Sequence, residues 1–322
     1  MSYDLKPACT IDEQISKLIN RDMTIEDKSE AARALQQMNY YRISGYAFQF
    51  LKGNDHYKKG TSLKAILRLM EFDTTLRQTL MSALEYIEIY ARTQIAYWFS
   101  LNHNRDGGAH YHPEFFVSEE FHAEYIENLE RQIERNHSQL FVAHHLQHFH
   151  GKMPLWCAVE ILSFSTISKL YNNMKTEDKE LIAANMDTDA SHLSNWLHCF
   201  SILRNACAHY SRLYDVICSP KVSLDGAFLR KYPEVFLDSL FAYIIAMLRI
   251  MPDEKRKTRL ITSLDALFEE YEDTIQCSCL GFPEGWRAIL SEKGNITLKP
   301  VSDEKKHIKV SEEKPLAGDE TA

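Results

Sequence analysis

Residues 69–95 read LMEFDTTLRQTLMSALEYIEIYARTQI. Leu69, Phe72, Leu76, Leu80, Leu84, Ile87, Ala91 and Ile95 recur at steps of three or four, an apolar stripe along one side of a helix. Extended outward, the pattern begins at Thr61, a residue type that caps helix N-termini, and runs to about Leu101. Glycine (11 residues) and proline (9) together reach only about half of average usage. Both break helices, so their scarcity favours long helices over a turn-rich β fold.

The rest of the chain carries the same period. Thr10 caps a short helix with Ile11, Ile15, Leu18 and Ile19 on one side and Asp12 and Glu13 in its first turn. A second helix spans roughly Asp27 to Met38 and leads into the aromatic segment Asn39 to Tyr46. Lys52 to Gly60 reads as a loop, and Asn102 to Ser118 as a longer one made mobile by Gly107-Gly108. Helices are expected at Glu119–Asn136, Pro154–Asn172, Glu177–Met186, Ser191–Tyr214, Pro233–Ile250 and Pro252–Asp273, several opening on proline. No repeat of solenoid period occurs. Residues 1–298 therefore read as one all-α domain, and the charged, aromatic-free stretch 299–322 as a disordered tail.

Charge and cysteine usage narrow the functional classes. Thirty-seven basic against 45 acidic residues give a net charge of −8, which argues against a basic coat for non-specific nucleic-acid binding. Any such contact is expected to be local, and no DNA partner is predicted. The first ten residues, MSYDLKPACT, lack the basic and apolar regions of a signal peptide. The nearest approach to a membrane span, Val235 to Met251, is broken by Asp238, Ser239 and Arg249, so no membrane partner is expected. The seven cysteines are odd in number and mostly lie within helical patterns, as reduced, buried thiols do in a cytoplasm. Cys277 and Cys279 form a lone C-x-C without a second pair, so neither a metal site nor a cofactor is predicted.

The chemistry concentrates in Asn195 to Asp215, NWLHCFSILRNACAHYSRLYD. Drawn as one helix, its core stripe is Trp196, Phe200, Leu203, Ala206, Cys207, Tyr210 and Leu213. With Leu203 at the centre, Arg204 falls about 100° to one side and His209 about 120° to the other. Asn205, His209 and Arg212 form a polar ridge at i, i+4 and i+7. His209 has two readings: a partly exposed histidine hydrogen-bonded to Asn205 or Asp215, or a proton-transfer group. The combination R-N-x-x-x-H suits the second. An imidazole moves protons near neutral pH, and a guanidinium clamps a phosphate with two parallel hydrogen bonds. The pair fits cleavage of a phosphodiester by its neighbouring ribose 2′-hydroxyl. Side chains at i and i+5 diverge by about 140° on a straight helix, so a homodimer whose two copies line one cleft is expected if the site is catalytic.

Five segments, in this order, resemble a known family: Ile43-Ser-Gly-Tyr46; Phe72-Asp73-x-x-Leu76-Arg77; Ala83-Leu-Glu-x-Ile-Glu88-x-x-x-Arg92; Pro154-Leu-Trp-x-Ala-x-Glu-Ile-Leu-Ser-Phe164; and Leu203-Arg-Asn-x-Cys-Ala-His209-x-x-Arg-Leu213. They resemble the Abi-like bacterial abortive-infection proteins (the AbiD/AbiF group) of the wider HEPN superfamily. The best-matched core is 18–215, with a helical extension over 216–298. The resemblance implies a multi-helix HEPN-like bundle and a role in phage defence, as an endoribonuclease or as an RNA-binding module holding a small non-coding RNA. It implies Arg204 and His209 as the catalytic pair, with Asn205 beside them. Glu85, Glu88 and Arg92 fall on its signature helix, where a carboxylate could orient Arg204 or His209; otherwise they are a solvated helix pair. Arg212 is a further secondary candidate.

Other clusters are weaker. Tyr41 and Arg42 mix aromatic and cationic groups that can hold RNA, but Tyr40, Tyr41 and Tyr46 fit better as core beside Gly45. His144, His145, His148 and His150 read as a solvated cluster rather than a metal site. Lys255, Arg256, Lys257 and Arg259 form the one compact basic run, and are RNA-binding candidates as a phosphate track.

Overall fold

The computed structural model describes Leu5, residues 7–53 and residues 55–291. The expected tail, 299–322, lies outside the described residues. Among those described there are fourteen α-helices, a few 3-10 turns and one two-stranded antiparallel hairpin, so the molecule is all-α. The helices fall into two compact units. The first includes residues up to Tyr90 and resumes at Ser194; the second spans Ala91–Leu193. The helices α4 (Leu63–Asn102) and α10 (Ala190–Ala208) contribute to both.

In the first unit, α1 (Ile11–Ile19) opens on a capping box: the Thr10 hydroxyl accepts from the Glu13 N–H and the Glu13 carboxylate accepts from the Thr10 N–H. Asp27 caps α2 (Lys28–Gln37) and Asn39 caps α3 (Tyr40–Ala47), so the aromatic segment is itself helical. The Lys52–Gly60 region holds the hairpin of β1 (Leu51–Lys52) and β2 (His56–Tyr57). Beyond α10 follow α11 (Gly226–Lys231), α12 (Leu240–Ile250), α13 (Glu254–Glu270) and α14 (Trp286–Ser291). Every residue of α12 is buried, which explains the long apolar run there: it is a core helix. The helix starts at Leu240, capped by Ser239, rather than at Pro233. Its one cation, Arg249, meets the Asp225 carboxylate at 2.6 Å and lies over the Phe228 ring. No described helix is long and apolar enough to cross a membrane.

The second unit contains α5 (Glu119–Arg135), α6 (Leu140–Phe149), α7 (Leu155–Ile161), α8 (Phe164–Asn173) and α9 (Thr176–Asn185). The helix expected over Pro154–Asn172 is two helices, because Leu162 turns extended and Ser163 caps the second. The loop expected to be mobile is anchored instead. The Leu155 N–H donates to the Gly107 carbonyl at 2.9 Å, and a Cβ on Gly107 would come within 2.6 Å of Pro154 and Trp156. His110 is fully buried, donating from Nε2 to the Met153 carbonyl and accepting the Tyr125 hydroxyl at Nδ1.

Candidate functional site

α10 does not continue to Tyr214. It ends at Ala208, and the Ser211 N–H donates to the Ala206 carbonyl while the Tyr210 N–H donates to that of Cys207. This is a Schellman closure with His209 at the cap position. Glycine normally takes the left-handed residue of such a closure; here Tyr210 does, with φ 60° and a ring 69% exposed. Tyr210 therefore leaves the core stripe predicted for it. Leu213 is buried, but on an extended segment rather than on the helix. The polar ridge is broken too, since Arg212 lies past the helix end and donates to the Gly45 carbonyl at 2.7 Å.

A buried polar cluster fixes that segment. Asp73, wholly buried on α4, accepts the Leu213 and Tyr214 N–H groups at 3.1 and 2.9 Å and the Tyr46 hydroxyl at 2.6 Å. Arg77, one turn along α4, pairs with Asp73 and donates to the Ser211 carbonyl at 3.2 Å and the Thr74 hydroxyl at 2.8 Å. Burial, followed by the Asp73 charge, raises the Tyr46 phenol to about 12. Tyr46 is thus a hydrogen-bonded core residue, as the core reading of the tyrosines has it. Tyr41 departs from that reading, with an 84% exposed ring, beside a half-buried Arg42.

Arg204 of α10 pairs with Glu88 of α4. The buried Glu88 carboxylate accepts Arg204 Nε at 3.2 Å. The two terminal nitrogens of Arg204 have no partner among the described residues, and its side chain is 35% exposed. A bond through Nε orients the guanidinium and leaves its outer edge for a phosphate. His209 and Asn205 are exposed, and neither the imidazole nor the amide has a side-chain partner among the described residues, so the bonds from His209 to Asn205 or Asp215 are not formed. Burial raises the nearby Cys207 thiol to about 12, making it a packing residue rather than a nucleophile.

The remaining candidates are dispersed. Glu85 is exposed, and its carboxylate has no hydrogen bond or ion pair among the described residues. Arg92 belongs to the second unit, where it donates to the Val159 carbonyl. Lys257 is buried against Glu254 at 2.7 Å, whereas Lys255, Arg256 and Arg259 are exposed. His144 and His148 lie 4.7 Å apart, ring centre to ring centre, on α6. No group of three or more His, Cys, Asp or Glu side chains among the described residues is arranged to hold a metal ion.

The residues on which this site depends most, Asp73 and Arg77, were visible in the sequence only as part of a family-like segment. Their physical signal is an Asp–Arg pair at i, i+4 set against the apolar stripe of α4, where unpaired charge is rarely tolerated.

Fold and site together define an all-α protein in which one helix ends in a positioned arginine and an exposed histidine. The chain belongs to the Abi-like protein family, whose model matches residues 33–215. That membership supports a role in abortive-infection defence. No curated protein and no solved structure matches the chain.

Proposed function

We propose that the chain is an endoribonuclease of the HEPN type, acting in the cytoplasm on RNA during abortive infection. The observation that carries this reading is the Glu88–Arg204 bond at 3.2 Å, which holds the arginine through Nε and leaves both terminal nitrogens available. In the proposed reaction the ribose 2′-oxygen attacks the adjacent phosphorus, the 2′-O–P bond forms and the P–O5′ bond breaks. His209 takes the 2′-hydroxyl proton or delivers one to the leaving O5′, while Arg204 stabilises charge developing on the phosphate oxygens. The nucleophile is internal to the RNA, so the reaction itself asks for no metal. Asn205 contacts substrate or orients His209.

Among the described residues of one chain the imidazole of His209 has no orienting partner, and it diverges from Arg204 along the helix. A homodimer resolves both problems. The exposed ridge His198, Ile202, Asn205 and His209, with Tyr210 beyond it, is the surface on which a second copy would complete the cleft. The same unpartnered imidazole favours a second reading, an RNA-binding module that holds a small RNA without cutting it.

Cleavage of labelled RNA by wild type, Arg204→Ala and His209→Ala, measured in chelator, separates the two. The expected result is cleavage by wild type and a loss of at least 100-fold in each variant, within the range for removing a general acid–base or a charge-stabilising group. A mixture of the two variants regains activity if the site is shared. Cleavage retained in both variants overturns the assignment, and RNA bound with no turnover by wild type establishes the second reading.

A further inference from the structure

Within the first unit α4 has two polar faces. Asp73, Arg77 and Glu88 lie on one, toward the end of α10. Thr75, Thr79, Ser82 and Tyr86 form a stripe roughly 180° around the helix. That second face borders a cleft of about 260 Å³, whose other wall is formed by α13. α13 lies outside the family-matched residues 33–215, so the cleft combines a family helix with one that the match does not cover.

The lining is one-sided in its chemistry. Arg256 and Arg259 enter from α13, Gln78, Thr79 and Ser82 from α4, and no carboxylate lines the cleft although the chain carries a net charge of −8. The Arg259 guanidinium and the Gln78, Thr79 and Ser82 side chains have no partner among the described residues. Arg256 sits 4.1 Å above the centre of the Tyr86 ring, with the Asp253 carboxylate 3.7 Å from its Nε. At that distance Arg256 and Tyr86 form a cation–π pair, the combination of arginine and aromatic ring against which bases pack in RNA recognition. Lys255 and Lys257, though part of the same basic run, do not line the cleft.

We infer that this cleft binds a nucleotide unit, with its phosphate on Arg259 and Arg256, its polar edges on Gln78, Thr79 and Ser82, and its base against the Arg256–Tyr86 pair. Two sources carry that chemistry, an RNA strand passing behind α4 and a free nucleotide. The first rests on the RNA reading proposed above; the second does not.

The test uses the full chain, 5′-AMP, and a fluorescein-labelled single-stranded 2′-O-methyl oligoribonucleotide, which lacks the attacking hydroxyl and cannot be cut. Wild type is compared with Arg256→Ala/Arg259→Ala and with Arg131→Ala/Arg135→Ala, an equal charge change on exposed residues of α5. Thermal melts confirm that all three fold. The expected result is oligonucleotide binding at least 10-fold weaker in the cleft variant alone, with a log Kd against log salt slope shallower by about 1.4, as two lost phosphate contacts require. Competition by AMP assigns the site to a free nucleotide, and its failure to compete assigns it to RNA. Affinity and slope unchanged in the cleft variant, or lowered equally in the α5 variant, overturn the inference and leave the Arg204–His209 reading standing. Arginine-dependent binding of AMP with none of the oligonucleotide supports the cleft and overturns the RNA reading. Binding of neither ligand by wild type overturns both.

Discussion

Arg204 and His209 stand five residues apart, yet the protein treats them differently. Arg204 is oriented by a buried carboxylate; His209 sits on a helix cap with its ring in solvent. On the proposed reading Glu88 is a positioning residue that acts through Arg204. Glu88→Gln keeps an acceptor but loses the charge, and a charge-assisted bond exceeds a neutral one by about 1 kcal/mol. RNA cleavage is expected to fall about fivefold in kcat with KM little changed. A kcat equal to wild type would remove Glu88 from the site. The sequence placed Glu85, Glu88 and Arg92 together on one side of α4. The fold brings Glu88 to Arg204, and a carboxylate buried there is tolerated because the guanidinium pairs with it.

At the scale of elements, the decisive feature is where α10 stops. Residue periodicity ran on through Tyr214, since Tyr210 and Leu213 continue the apolar spacing. The stop is made from outside the helix: Asp73, 140 positions away from Leu213, takes two backbone N–H groups that a longer helix would use internally. Asp73→Asn leaves Arg77 buried without a charge partner, and breaking such a pair costs on the order of 3–5 kcal/mol. Denaturant unfolding should register that loss, and a change below about 1 kcal/mol would show that Asp73 does not hold the segment. Tyr210 pays a smaller strain. Tyr210→Gly removes a left-handed non-glycine residue and should stabilise the protein by about 1 kcal/mol. If the exposed ring belongs to the homodimer surface, the same variant lowers dimer affinity in sedimentation while raising the melting temperature. Several helix starts were legible from a local cap, as at Thr10, Asp27 and Ser118. The end at Ala208, set by a long-range contact, was missed, and so were the starts that Ser163 and Ser239 cap, which the apolar period ran through or past.

For the whole molecule, a buried histidine of the second unit makes stability depend on pH. Burial holds His110 down to about 4 from 6.5, and both ring nitrogens are engaged in the neutral form. Above pH 6.5 the folded and unfolded chains are both neutral at this position. As pH falls from 6.5 to about 4 the unfolded chain takes up the proton first, so stability declines across that window and levels off below it. The full loss is on the order of 3 kcal/mol. Denaturation midpoints between pH 7 and 4 should trace it, and His110→Gln should flatten the curve over the same range; a wild-type curve already flat there would contradict a buried neutral His110.

The sequence by itself determined that this protein is helical, which faces of most helices turn inward, where several capped helices begin, and that its net charge is too acidic for a nucleic-acid coat. Those properties follow from period, side-chain size and charge within a few residues, and need no partner from afar. Only the tertiary structure decided which polar residues matter together. Asp73 with Leu213 and Tyr214, Glu88 with Arg204, and Arg256 with Tyr86 are each joined by more than 100 residues of chain. A buried charge is stable only beside the group that satisfies it, and that group is supplied by packing rather than by neighbours in sequence.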